Sequence, residues 1–575
     1  MKKLFKYFKS YIKETILAPL FKLLEALLEL FIPLVVASII DNGIGPKDNV
    51  YVIKMVGIMV ACGIVGLILS VLGQFFAAKT AVGFSAKLKL DLFKKIQSLS
   101  FSDIDNLGTS SIITRMTSDV NQVQTGINLT LRLFLRSPFV VFGSAIMAYF
   151  IDLSISTIFF VSIVILSIIV FGIMLLTMPL HKKVQENLDN VLSQTKENLS
   201  GVRVIRAFTS ETEEVAKYNS SIKKLEKSQN KVGNISNLLN PLTFIIVNSA
   251  IIVLIYAGAL KVNVGDLTQG QVIALYNYMS QILVELIKLA SLIITMTKSV
   301  ACGNRIAKII EMDTNVFVDN SNQAKCDTYI KFYNVNMKYR GAKEESLEDI
   351  SFDVNKGETI GIIGGTGSGK TSLVSLLLRF YEASSGEIYF DHLPIMSYHP
   401  SELRDKIAVV LQKAVLFKGT IRDNVKWGKK DASDEEIYKA LEVAQALDIV
   451  AKKEEGLDSK VSQGGKNFSG GQRQRLTLAR ALVKRPDVLI LDDSSSALDF
   501  ATDAALRKSI KELDYRPTVF IVSQRTASIQ NADKILVLDD GKLVGIGKHD
   551  ELLKNNAVYQ EIYYSQFKKE DNKHE

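Results

Sequence analysis

The sequence predicts an α-helical membrane bundle joined to an α/β domain. Three observations predict it: six apolar runs of spanning length, basic residues concentrated in alternate links between them, and a change of texture near Cys326 to short Val/Ile-rich strands separated by Gly-containing turns. At 575 residues the chain is too long for one domain, and its mean hydropathy of +0.18 is high for a chain lying wholly in water.

The apolar runs fall at about 15–40, 52–78, 129–151, 154–179, 240–261 and 270–298, each near the length of a membrane-crossing helix. The short links 41–51, 152–154 and 262–269 carry few basic residues, whereas the amino terminus and the stretches 79–128 and 180–239 are rich in Lys and Arg. The positive-inside rule therefore puts both termini, and the C-terminal domain with them, in the cytoplasm. The two long basic stretches hold few helix breakers, so helices there extend the spans into the cytosol, with tips that reach a cytosolic domain. The opening Met1-Lys2-Lys3 is followed by no short apolar segment with a cleavage site, and no processing is expected.

A formal net charge of +9 raises nucleic-acid binding, but the basic residues sit beside the apolar runs, which suits a membrane face; no nucleic-acid partner is expected. Cys62, Cys302 and Cys326 lack metal-site spacing and are expected to be small buried thiols. Within the spans, Glu25 and Glu29 share one helix face, and Glu285 and Lys288 share another. Such groups contact substrate or protons, or else are solvated or paired with one another, and the sequence leaves both open. The aromatics Phe75, Phe76, Phe244, Tyr276 and Tyr278 either line an apolar cavity or pack ordinary membrane helices.

The membrane part covers 1–315, the α/β part 326–567, and the charged residues 568–575 form a tail. In the α/β part, an apolar strand ending Ile360-Gly361-Ile362-Ile363 runs into Gly364, Gly365, Thr366, Gly367, Ser368, Gly369, Lys370 and Thr371, a GxxxxGK[ST] loop followed by an apolar helix. This is the phosphate-binding loop: its N–H groups surround phosphate oxygens, Lys370 reaches the β/γ-phosphates and Thr371 ligates Mg2+. The pattern predicts a nucleotide site with a magnesium cofactor.

A second element, Asn467-Phe468-Ser469-Gly470-Gly471-Gln472 followed by Arg473-Gln474-Arg475, opens a helix, and a third, Val488-Leu489-Ile490-Leu491, ends in Asp492 and Asp493. With these the chain resembles the ATP-binding cassette (ABC) family, specifically a half-transporter of the multidrug-exporter type, with Phe468 in place of the signature's leading Leu. The resemblance implies a six-span exporter-type (type IV) membrane domain fused to an α/β P-loop nucleotide-binding domain, with ATP and Mg2+ as cofactors. Tyr339 is implied to stack on adenine, Gln412 to sense magnesium, Asp492 to partner it, and Ser469, Gly470, Gly471 and Gln472 to meet the γ-phosphate held by a second cassette. The stretches around 101–120 and 197–208 resemble the family's two intracellular loops.

Two departures bear on activity. Asp493 stands where the family has a catalytic Glu, which retracts the carboxylate by about one methylene, and Gln524 stands where it has a switch His. Gln524 donates a hydrogen bond but carries no charge near neutral pH. A third departure, Val461-Ser462-Gln463-Gly464-Gly465, replaces an exporter stretch that carries Glu and Arg. A weakened site beside an intact signature implies one subunit of a heterodimeric bacterial exporter in the cytoplasmic membrane. Its partners are a second half-transporter, membrane lipid and a small lipophilic substrate. The rivals are a homodimeric lipid or peptide exporter and a non-transporting ATP-sensing regulatory subunit.

Overall fold

The computed structural model describes residues 2–312, 326–494 and 496–567; the expected junction near 313–328 lies outside the described residues as far as 325, as do Ser495 and the tail 568–575. The chain divides into two compact units. One contains Met1–Gln97 and Thr109–Met312, and the other joins Ser98–Gly108 to the C-terminal part of the chain.

Among the described residues of the first unit, six helices are long and apolar enough to cross a membrane: Leu4–Ile44, Asn49–Gln97, Thr109–Ile151, Leu153–Ser200, Glu211–Val264 and Gln269–Ile310. Each contains one of the expected runs. The second and fourth have 49 and 48 residues, so at ~1.5 Å per residue they far exceed a bilayer core. The apolar outer faces of the six spans, with Phe142, Val161, Ile168 and Ile252 exposed, suit contact with lipid, while Tyr278, Phe159, Leu166 and Leu254 belong to a buried core. Small residues permit close approach: a Cβ at Gly126 would lie 2.3 Å from the Ser299 side chain.

The third run is not one continuous helix. It divides into Val120–Leu133 and Arg136–Ile151, with a turn at Phe134 and Leu135. Pro138 explains the division, because it has no N–H for the Phe134 carbonyl four residues earlier and so breaks the ladder there. Of the cysteines, only Cys302 is buried; Cys62 and Cys326 are half-buried, because Cys62 lies on the outer face of a span and Cys326 begins the second unit's described chain.

The second unit is built on a ten-stranded sheet. Its strands are β1 (Ile330–Met337), β2 (Leu347–Val354), β3 (Thr359–Gly364), β4 (Ser385–Phe390), β5 (Leu393–Pro394), β6 (Ile407–Val410), β9 (Val488–Asp492), β10 (Thr518–Val522), β11 (Lys534–Asp539) and β12 (Lys542–Gly547); β7 (Gly419–Thr420) and β8 (Lys460–Val461) pair separately. The order is β5-β4-β1-β2-β12-β11-β3-β10-β9-β6. The segment β11-β3-β10-β9-β6 is parallel throughout, and its strands are nearly continuous apolar runs, as expected where both faces are covered. Apolar clusters lie on the two sides, one around Ile363, Leu489 and Ile521, the other around Ile362, Ile490 and Phe520.

Candidate nucleotide site

The parallel strands decide where the site forms. Because β3, β10, β9 and β6 point the same way, the residues that follow each of them emerge at one edge of the sheet, where ligands of such sheets bind. These are the phosphate loop after β3, Ser523 and Gln524 after β10, Asp493 after β9 and Gln412 beyond β6. They line one cleft of about 750 Å3, together with Tyr339, Thr366 to Ser372 and Asp492.

Within the loop, Gly367 and Gly369 have φ of +87° and +92°, values that L side chains rarely adopt. A Cβ at Gly369 would also sit 2.6 Å from Leu347 Cδ2. Gly364 packs behind the loop, where a Cβ would meet the Leu538 carbonyl at 2.1 Å, and Gly365 faces open space. Lys370 folds back, its Nζ donating to the carbonyls of Gly364 (3.0 Å) and Gly365 (2.6 Å). Burial lowers its pKa, opposed by the charges of Asp493 and Asp492.

Thr371 Oγ1 lies 3.3 Å from both carboxylate oxygens of Asp492. Burial raises the pKa of Asp492, and the Asp493 charge adds to the rise. A hydroxyl, one buried carboxylate and the nearby Gln412 amide are hard oxygen ligands in the small number that magnesium takes from protein when phosphates supply the rest. Asp493 has φ of +48°, a left-handed conformation that Asp tolerates better than most residues; its carboxylate accepts a hydrogen bond from Gln412 Nε2 at 3.1 Å. Gln524 is exposed on the cleft, and its backbone carbonyl accepts from Gln566 Nε2.

Tyr339 is on the cleft wall. Its hydroxyl is 3.0 Å from Ser372 Oγ, and its ring meets Tyr381 edge-on with centroids 5.0 Å apart. Tyr381, which the sequence reading missed, donates in turn to Asp105 on the short helix Phe101–Leu107, whose Phe101 packs on Phe380 at 4.4 Å. The aromatic pair Phe380-Tyr381 just beyond the phosphate-loop helix was the only available signal.

The signature residues lie elsewhere. Ser469, Gly470, Gly471 and Gln472 are absent from the cleft lining and open the helix Gly470–Leu482 on the surface. Ser469 and Gln472 cap that helix reciprocally, side chain to backbone, and Phe468 is buried beneath them.

In the membrane unit, the four ionisable residues read from the sequence belong to one network. Glu285 accepts from Arg136 and Lys288, each at 2.7 Å, Arg136 also reaches Glu29 at 2.6 Å, and Lys22 pairs with Glu25 at 2.6 Å. Arg136 and Lys22 were missed, although each is a cation inside or beside an apolar run. Of the proposed cavity aromatics, Tyr278 is fully buried, with its hydroxyl on the Leu30 carbonyl, and so packs the bundle; Phe75, Phe244 and Tyr276 are exposed.

Residues 15–286 match the family model of the ABC transporter transmembrane region, and residues 347–496 match the ABC transporter model. The chain is 34% identical to YfiB of Bacillus subtilis (strain 168), an uncharacterized ABC transporter ATP-binding protein, over 99% of both chains. The chain belongs to the ABC transporters. It is also 31% identical, over 98% of each chain, to YgaD of the same organism, a putative multidrug export ATP-binding/permease protein. A bacterial Atm1-family ABC exporter solved with ATP bound has the same fold, with a TM-score of 0.81, 23% identity and coverage of 97% of this chain and 98% of that one. As an ABC half-transporter, this multi-pass membrane protein binds ATP and couples its hydrolysis to transport.

Proposed function

We propose that this ABC half-transporter is the weakly hydrolysing subunit of a heterodimeric exporter. The observation that carries the reading is the cleft itself. Asp493 and Gln524 occupy the ends of β9 and β10 facing the phosphate loop, where a longer carboxylate and an imidazole would serve hydrolysis. In this reading Lys370 and the loop N–H groups hold the phosphates, and Tyr339 stacks on the adenine. Thr371, Asp492 and Gln412 hold Mg2+, which neutralises phosphate charge when bound. Asp493 orients water poorly because its reach is short, and Gln524 steadies the γ-phosphate by donation without contributing positive charge.

The exposed signature helix is free to complete a site on a second chain. Its N-terminus offers the N–H groups of Gly470 and Gly471, which the Ser469–Gln472 cap does not take, and a positive dipole end to a γ-phosphate. Two copies of this chain would place Asp493 and Gln524 in both sites, so a partner with the full hydrolytic set fits better. The basic stretches 79–128 and 180–239 support an orientation with the ATPase domain in the cytoplasm, in the cytoplasmic membrane of a bacterium. A small lipophilic substrate is in keeping with the multidrug-export name of YgaD.

The test is turnover. The purified chain alone should bind Mg-ATP and hydrolyse it slowly, and coexpression with the second half-transporter should raise turnover sharply. Vigorous hydrolysis by the chain alone would favour the homodimer.

A further inference from the structure

Three cations and three carboxylates meet among the membrane helices: Lys22, Arg136 and Lys288 against Glu25, Glu29 and Glu285. The set is neutral as a whole but unevenly covered. Among the carboxylates, side-chain exposure rises from 3% at Glu285 through 18% at Glu25 to 37% at Glu29; among the cations it is 9% at Arg136 and 42% at Lys288. The buried end is fully tied, since Glu285 also accepts from Ser137 Oγ at 2.7 Å. Arg136 is not: among the described residues its buried Nε makes no hydrogen bond, and it lies 4.0 Å from Glu25 Oε1.

That geometry allows a partner exchange. If an incoming cation takes Glu29, Arg136 keeps Glu285 and turns its unused N–H to Glu25, so no charge is stranded in the membrane. A second acceptor stands beside the first. Pro33, which has no N–H, deprives the Glu29 backbone carbonyl of its usual helical donor. A half-exposed carboxylate and an underused carbonyl on one residue suit a group with several N–H donors.

We propose that Glu29 docks the ammonium group of a transported organic cation, with Arg136 released from Glu29 toward Glu25. This rests on the exporter reading above and narrows its substrate class to amphiphilic amines.

The probe is dansylcadaverine, an amphiphilic primary amine, set against its neutral N-acetyl derivative, with the full chain and its partner in proteoliposomes. The readout is the ratio of amine to neutral-derivative transport. Glu29→Gln should lower that ratio roughly tenfold, as expected for loss of a charge-assisted hydrogen bond. Glu25→Gln should lower it several-fold although Glu25 does not touch the amine, because Arg136 then has no second acceptor. An equal fall for both probes would make the network a structural tie and overturn the proposal, as would a wild-type pair that hydrolyses ATP but carries the amine no better than the derivative. If the pair fails to hydrolyse ATP, the heterodimer reading falls. Fluorescence titration of the purified chain with the two probes then decides the inference, which stands only if wild type prefers the amine and Glu29→Gln does not.

Discussion

Gln412 donates its side-chain amide to the carboxylate of Asp493 at 3.1 Å, joining residues 81 positions apart at the ends of β6 and β9. The bond holds the short carboxylate toward Gln412, which the proposed function assigns to magnesium, at a backbone φ of +48° that Asp tolerates better than most residues. A Glu there would reach farther into the cleft but would sit less comfortably in that conformation.

Repair of the site is therefore expected to be partial. In a pair whose partner lacks its catalytic Glu, Asp493→Glu with Gln524→His should raise ATP hydrolysis by about 10- to 100-fold, the range associated with correct placement of a base. Steady-state phosphate release measures it. No recovery would place the block in closure of the partner's signature.

Damage within this chain should follow an order. Gly471→Asp adds a side chain where a Cβ already comes within 3.0 Å of the Ala497 carbonyl, and Ser469→Arg removes the helix cap; each should reduce transport by ~100-fold or more. Asp493→Asn should leave transport within about threefold of wild type, because the carboxylate it neutralises contributes little as a base. Lys370→Ala should fall between them. Transport and ATPase assays at matched expression test the order, and an Asp493→Asn variant as damaged as the signature variants would make this site hydrolytic.

Asp492 is expected to trade stability for function. Burial raises its folded-state pKa above the unfolded value, so its stabilising contribution is present at acid pH and is lost as pH rises through the folded pKa. At neutral pH the ionised group is a cost, and Asp492→Asn should raise the Tm of the nucleotide-free protein while weakening magnesium-dependent ATP binding. The Tm gain should shrink as pH falls. Thermal unfolding across pH 4 to 8, with and without Mg-ATP, checks both.

Phe468 departs from the signature by packing, not by chemistry. Its ring is only 4% exposed and joins the cluster that includes Leu416 and Leu476. Phe468→Leu should cost less than about 1.5 kcal/mol and leave ATP turnover by the pair intact. Phe468→Ala should cost about 3 to 5 kcal/mol and loosen the helix that presents Ser469. Chemical denaturation of each variant measures the difference.

The local determinants were legible in the sequence because each rests on near neighbours. Apolar length marks a span, the phosphate loop needs its glycines within eight positions, and the signature caps its own helix through Ser469 and Gln472. The family and the six-span-plus-cassette architecture followed from these. What the sequence alone could not give was convergence. Only the parallel order of β3, β10, β9 and β6 brings Lys370, Gln524, Asp493 and Gln412 to one edge, and strand order depends on packing across the whole sheet. The same holds in the membrane unit, where helix spacing pairs Glu25 with Glu29 along one face, but only the tertiary arrangement puts Arg136 of a different helix between them and Glu285. A buried charge is too costly to leave alone in an apolar bundle, yet its partner can come from any helix that packs beside it, and that choice is made in three dimensions.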